Sequence, residues 1–193
     1  MDKKLIIIEG TDNVGKDTVI YQLLQNFNII KLIHCNKPKS KDPEEAANEQ
    51  QNLFWDIANE NIHDYVHGKT DCIIHNRSWY GEYVYGCMYR SNNEDNVINQ
   101  IHAYENYLMS NIPAKDICLI TLLSNNSDFL IKNDDGLSIS EAKKELIEKE
   151  TNRFKEIFEL SNLPNKHIIY VNDGENWRSK QDIINEVLNY INL

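Results

Sequence analysis

Two glycines, a lysine and a hydroxyl stand at phosphate-binding spacing in Gly10-Thr11-Asp12-Asn13-Val14-Gly15-Lys16-Asp17-Thr18. The glycines permit a tight backbone path, and the successive N–H groups of such a path form an anion nest. The Lys16 ammonium then neutralises the outer phosphates of a nucleoside triphosphate. The run follows an apolar stretch, residues 5–8, and opens a helical pattern of Val19, Ile20, Leu23 and Leu24, whose N-terminus adds positive potential. In that context residues 10–18 read as a P-loop, with Gly10, Asn13, Val14, Gly15, Lys16, Asp17 and Thr18 around the phosphates of ATP. Asp17 takes the place of the Ser or Thr that normally follows the lysine and supports the metal. A carboxylate there could ligate Mg2+ directly or through water. It would equally suit the positive end of a helix as a favourable charge.

Arg77 is the second candidate. It directly follows a buried-strand pattern, residues 72–75, at the sheet end expected to carry the P-loop, from which it can approach a γ-phosphate. A structural ion pair is the alternative role. The next residues, Trp79-Tyr80-Gly81-Glu82-Tyr83-Val84-Tyr85-Gly86, are unusually aromatic, and their rings either sandwich a base or form a core stripe. The histidines, among them His34 and His75, show no metal-ligand spacing. Cys35, Cys72, Cys87 and Cys118 form no CxxC pair, which suits reduced thiols in a cytoplasmic setting.

The elements that must position these groups follow from periodicity. Five short apolar runs, at 5–8, 29–33, 72–74, 117–123 and 168–171, read as buried strands. Helical patterns lie between them: Leu53, Phe54, Ile57, Ala58, Ile62 and Tyr65 before Gly68, and Val97, Ile101, Tyr104 and Leu108 before Pro113. The alternation predicts an α/β fold of the P-loop NTPase type, a parallel five-stranded sheet with helices on both faces. Capping boxes are expected at Ser138 with Glu141 and at Ser179 with Asp182. The polar segment 124–138 is either a solvated loop or a closing lid.

The chain has 193 residues, 41% of them hydrophobic, which suits one domain spanning 1–193. A formal charge of −10 supplies no overall attraction for nucleic acid or an anionic membrane, so any phosphate must be gripped locally. Only Arg77, Arg90, Arg153 and Arg178 are available for bidentate phosphate contacts. No apolar run approaches the roughly 20 residues of a spanning helix, and the short run at 5–8 cannot be a signal-peptide core. Small-molecule nucleotides are the expected partners, and a homodimer through the helices is compatible with the pattern.

From residue 7 the string IIEGTDNVGKDT resembles the start of thymidylate kinases. The likeness continues through Asn36-Lys37-Pro38, similar to that family's Arg-Glu-Pro segment, through Leu53-Phe54-Trp55-Asp56, and through Asn76-Arg77-Ser78 where the family has Asp-Arg. The resemblance implies that Asp12 contacts the acceptor's sugar hydroxyl, that Phe54 stacks on its base and that Arg77 holds its phosphate. It also implies that Lys37 substitutes for a phosphate-binding arginine and that Lys132 is the lid cation. Asn76 replaces the family's Asp, leaving Glu9 and Asp17 to arrange the metal and its water. Tyr80 and Tyr85 are further acceptor-binding candidates. On this reading the chain is an ATP- and Mg2+-dependent nucleoside monophosphate kinase, with Lys16, Arg77 and Asp12 as its catalytic set. Arg77-Ser78 followed by Tyr80, Glu82 and Tyr83 also resembles deoxynucleoside kinases, in which a carboxylate base must take a proton from a 5′-hydroxyl. A nucleotide sensor without turnover is the alternative outside catalysis.

Overall fold

The computed structural model describes residues 3–134 and 143–191. Five parallel strands, β1 (Lys4–Gly10), β2 (Ile30–His34), β3 (Cys72–Asn76), β4 (Ile117–Leu123) and β5 (Lys166–Tyr170), form one sheet in the order β2-β3-β1-β4-β5. β1 lies at the centre, with Ile8 opposite Asn76 of β3 and Ile120 of β4. All seven of its residues are buried. Because side chains alternate across a strand, Leu5 and Ile7 enter one core while Ile6 and Ile8 enter the other. A short antiparallel pair not anticipated from the sequence, β6 (Asn172–Asp173) and β7 (Asn176–Trp177), follows β5.

The helices are α1 (Lys16–Leu23), α2 (Pro43–Val66), α3 (Cys87–Tyr89), α4 (Glu94–Asn111), α5 (Ser127–Lys132), α6 (Lys144–Leu160) and α7 (Lys180–Tyr190). α2 begins with Asp42 accepting a bond from the Glu45 N–H at 2.9 Å and Pro43 at the first turn, and it gives way to Gly68 in the left-handed region, φ 65°. The Ser179 cap of α7 receives the Asp182 N–H at 3.0 Å, matching its expected position. The Ser138 and Glu141 box lies outside the described residues, as does part of the segment expected to be a lid. Among the described residues no helix is long and apolar enough to cross a membrane.

One helix departs from the usual pattern. Residues Glu82–Gly86 form a π-helical turn, within which Tyr83, Val84 and Tyr85 are buried. Widened turns of this kind often lie at functional sites. Here the turn carries Tyr85 to the back of Arg77.

Candidate functional site

The P-loop leaves β1 through Gly10, whose φ of 139° L side chains rarely adopt, and a Cβ there would lie 2.0 Å from the carbonyl oxygen of Leu122 on β4. Gly15, at φ 78°, ends the loop and caps α1. Lys16 folds back over the loop it closes: its Nζ donates to the carbonyls of Thr11 at 2.5 Å and Gly10 at 3.2 Å. Burial, with the nearby Arg77 guanidinium, lowers its pKa to about 7. A bound phosphate would supply the opposite charge that restores the ammonium.

Three consecutive residues at the end of β3 reach three different parts of this unit. Asn76 Nδ2 donates to Asp17 Oδ1 at 2.7 Å, Arg77 forms an ion pair with Asp12, and Ser78 Oγ donates to Glu9 Oε1 at 2.7 Å. Arg77 has φ 68°, a strained conformation for a non-glycine residue that points its side chain across the P-loop. Its Nη1 donates to the Gly10 carbonyl at 3.3 Å and to the Tyr85 hydroxyl at 3.2 Å, with the Tyr85 ring 5.1 Å from the guanidinium carbon. The two departures from the expected motif therefore meet. An Asp at 17 and an Asn at 76 form one hydrogen-bonded pair, so a carboxylate is present at that spot, supplied by α1 instead of β3.

Glu9 is 1% exposed, and its Oε2 has no hydrogen-bond partner among the described residues. Burial raises its pKa to about 7 against the lowering effect of Ser78 and Arg77. The exposed Asp17 carboxylate lines the cavity and fits a magnesium site of the kind that phosphates complete, since Mg2+ usually takes one or two carboxylates and keeps several waters, whereas Glu9 is buried and does not line that cavity. Among the described residues no cluster of three or more His, Cys, Asp or Glu could hold a metal unaided.

Asp12, Asn13, Val14, Gly15, Lys16, Asp17, Thr18 and Arg77 line one cavity of about 650 Å3. Other residues expected at the site are elsewhere. Tyr80 is 1% exposed in the core, where its hydroxyl donates to Glu105 at 2.7 Å, and it lines neither this cavity nor the next. Tyr85 supports Arg77 from behind. Lys37 and Lys132 are exposed and line neither this cavity nor the next. Phe54 is edge-packed on Trp79, centroids 6.3 Å apart, and lines a separate cavity of about 220 Å3 together with Gln50, Glu82, Asn92 and Tyr104. The rings of 79–85 are core residues, not the two walls of a base clamp on the P-loop side.

Sequence reasoning missed the far part of the main cavity: Asn133, Trp177, Arg178, Lys180, Ile183 and Ile184. The available signal was topological. In a parallel sheet every strand's carboxyl end faces the same side, so the segment after β5 had to arrive near the loop after β1.

The chain is similar in fold to three solved structures. They are the YorR protein of Bacillus subtilis in complex with phosphorylated GDP (18% identity, 98% of this chain and 96% of that one, TM-score 0.67), the thymidylate kinase of Candida albicans (15%, 99% and 92%, 0.64), and polyphosphate kinase 2 of Arthrobacter aurescens (13%, 99% and 68%, 0.64). No curated protein matches the chain. The family model of polyphosphate kinase 2 (PPK2) matches residues 1–115, which include the P-loop, β3 and the Arg77 segment. Since that match takes in more than half of the 193 residues, the chain belongs to the polyphosphate kinase 2 family and is a phosphotransferase.

Proposed function

We propose that the protein transfers the terminal phosphoryl group of ATP, in the presence of Mg2+, to a nucleoside monophosphate or its deoxy counterpart. The observation that carries this reading is the convergence of Lys16, Arg77 and Asp12 on one cavity at the carboxyl end of the sheet. The loop amides and Lys16 hold the donor phosphates, and Arg77 stands where it can neutralise the migrating group. Asp12 orients that guanidinium and offers an acceptor for a sugar hydroxyl. Asp17, with the buried Glu9 as the further candidate, would hold magnesium, which would supply charge to offset that on the phosphoryl oxygens. Phosphoryl transfer needs positioning and charge neutralisation more than covalent help, and these residues supply both. The 220 Å3 cavity beside Phe54 has room for a base-sized group, being smaller than pockets for whole drug-sized ligands.

Membership of the polyphosphate kinase 2 family favours a variant of this reading, with inorganic polyphosphate as donor.

The test is one panel: ATP or polyphosphate with Mg2+ against the common nucleosides and nucleoside monophosphates, with products resolved by chromatography and 31P NMR. Diphosphates formed from monophosphates, in step with ADP, are the expected result. Turnover with polyphosphate alone would replace the donor, and turnover of nucleosides alone would replace the acceptor. Phosphorylation of no nucleotide by either donor would refute the proposal.

A further inference from the structure

β2 is an edge strand of the sheet, and its last residue, His34, is the register partner of Asn76 at the end of β3. Side chains at one register position of neighbouring strands leave the sheet on the same face, here the face that meets Asp17 on α1. The Cys35 N–H donates to the Asn76 carbonyl at 3.2 Å and holds the two strand ends together. The Asn76 Nδ2 that donates to Asp17 Oδ1 at 2.7 Å also stands 3.2 Å from His34 Nδ1.

The chemistry of these three groups leaves one arrangement. An ionised carboxylate only accepts, so the amide nitrogen of Asn76, not its oxygen, must face Asp17. The same nitrogen has a second hydrogen, which can serve His34 only if Nδ1 is an acceptor and the ring proton sits on Nε2. Both hydrogens of the carboxamide are then spent, and Oδ1 is the atom that neither neighbour uses. Asn76 and Asp17 both line the main cavity, whereas His34 does not. An amide oxygen is a hard donor that suits Mg2+ or a water bound to it. An Asp at 76 would instead set two carboxylates 2.7 Å apart, where both cannot ionise. Without His34, a single hydrogen bond would hold the amide, and its plane would be free to turn.

We propose that His34 is a positioning residue for the metal of phosphoryl transfer: by accepting the second N–H of Asn76 it locks the carboxamide, so that the nitrogen serves Asp17 and the oxygen is left for the ion or its water. The inference rests on the reading that Asp17 holds Mg2+ and adds a residue that acts on this site only through Asn76. An imidazole does so without adding charge beside Asp17, as a carboxylate at the same place would.

Its test compares the full-length wild type with His34→Ala, His34→Asn and Asp17→Asn. Mn2+ serves as a paramagnetic probe of the protein–ADP complex, and ADP is titrated separately in the presence of chelator. His34→Ala should weaken Mn2+ about ten-fold, the low end of what losing a residue that orients a metal ligand costs, while metal-free ADP affinity stays within about two-fold. His34→Asn should recover most of the loss, because its Oδ1 lies as many bonds from the backbone as Nδ1 and accepts in the same place. In the wild type, long-range 1H–15N correlation at about pH 8, above the ordinary imidazole pKa, should find the His34 proton on Nε2. Unchanged Mn2+ affinity in His34→Ala, equal losses in His34→Ala and His34→Asn, or a proton on Nδ1 would overturn the proposal. Equal weakening of Mn2+ and metal-free ADP would show a merely structural role and overturn it as well. Asp17→Asn with full Mn2+ affinity would sink the metal reading and this proposal together, whereas its loss of Mn2+ beside an unaffected His34→Ala would sink the role of His34 alone. A wild type in which Mn2+ behaves as expected yet no nucleotide is phosphorylated would refute the proposed function and leave this role standing.

Discussion

Replacing Glu9 by Gln should make the protein more pH-tolerant, and the size of the effect follows from one carboxyl group. Glu9 is buried, accepts one bond from Ser78 and has its second oxygen unpartnered, so burial raises its pKa from 4.5 to about 7. An acid whose pKa is raised by folding holds its proton in the native state after the unfolded chain has released it. Its contribution to stability is therefore complete below pH 4.5 and is lost as pH rises through about 7. The whole loss is about 3 kcal/mol, of which about 2 kcal/mol falls between pH 5.5 and 8.5. Gln cannot titrate. Its amide nitrogen also needs a partner, which costs about 1–3 kcal/mol if none is found, but that penalty is equal at both pH values and cancels in their difference. The assay is urea unfolding of both proteins at pH 5.5 and 8.5, with chelator present to exclude metal binding. The lower pH stays above the pI of about 5.0, where solubility is poorest. Relative to wild type, Glu9→Gln should gain about 2 kcal/mol between the two conditions, or roughly 4–8 °C in Tm for a chain of this length. An identical difference at both pH values would show that the carboxyl titrates normally and would refute the reasoning.

Three other substitutions probe separate parts of the argument. Gly10→Ala would force a methyl group to within 2.0 Å of the Leu122 carbonyl oxygen in a backbone conformation alanine avoids; a loss beyond about 4 kcal/mol is expected by chemical denaturation, and a stable variant would contradict the close approach of β1 and β4. Arg77→Lys offers one ammonium in place of a guanidinium that reaches Asp12, Tyr85 and the Gly10 carbonyl together, so kcat should fall about 100-fold or more while ADP affinity changes only a few-fold; comparable loss in both would assign Arg77 to donor binding. His75 is fully buried, accepts through Nε2 from the Asn61 amide Nδ2 at 2.7 Å, and has its pKa lowered to about 3 by burial and then by Lys31. A depressed pKa contributes stability that is present above 6.5 and lost as pH falls through about 3, so His75→Gln should move the acid-unfolding midpoint, followed by circular dichroism, to lower pH.

The parts of the molecule legible in the sequence are those governed by local pattern. The strand runs lie within one or two residues of β1 to β5, because the central strands β1, β3 and β4 are buried and largely apolar, and the partly buried β2 and β5 still carry short apolar runs. Gly10 to Thr18 is legible because its function is performed largely by backbone, which glycine spacing reports directly. The acceptor side is less so, since it depends on which face of a helix or turn a side chain occupies. Tyr80 and Tyr85 are five residues apart on a segment that widens into a π-turn, and no periodicity count forecasts that one meets Glu105 in the core while the other meets Arg77. Trp177 was invisible for another reason: two-residue strands carry too little pattern to register. Asp17 and Asn76, 59 positions apart, read as two unrelated departures until the fold places one against the other.

The end of β3 has a mechanical consequence. Because Asn76, Arg77 and Ser78 are fastened to Asp17, Asp12 and Glu9 in turn, and the Arg77 N–H also donates to the Ile8 carbonyl at 3.0 Å, the P-loop and the segment that leaves β3 are bolted to one frame. Neither segment can shift without the other, so loosening any one of these bonds would disturb both together.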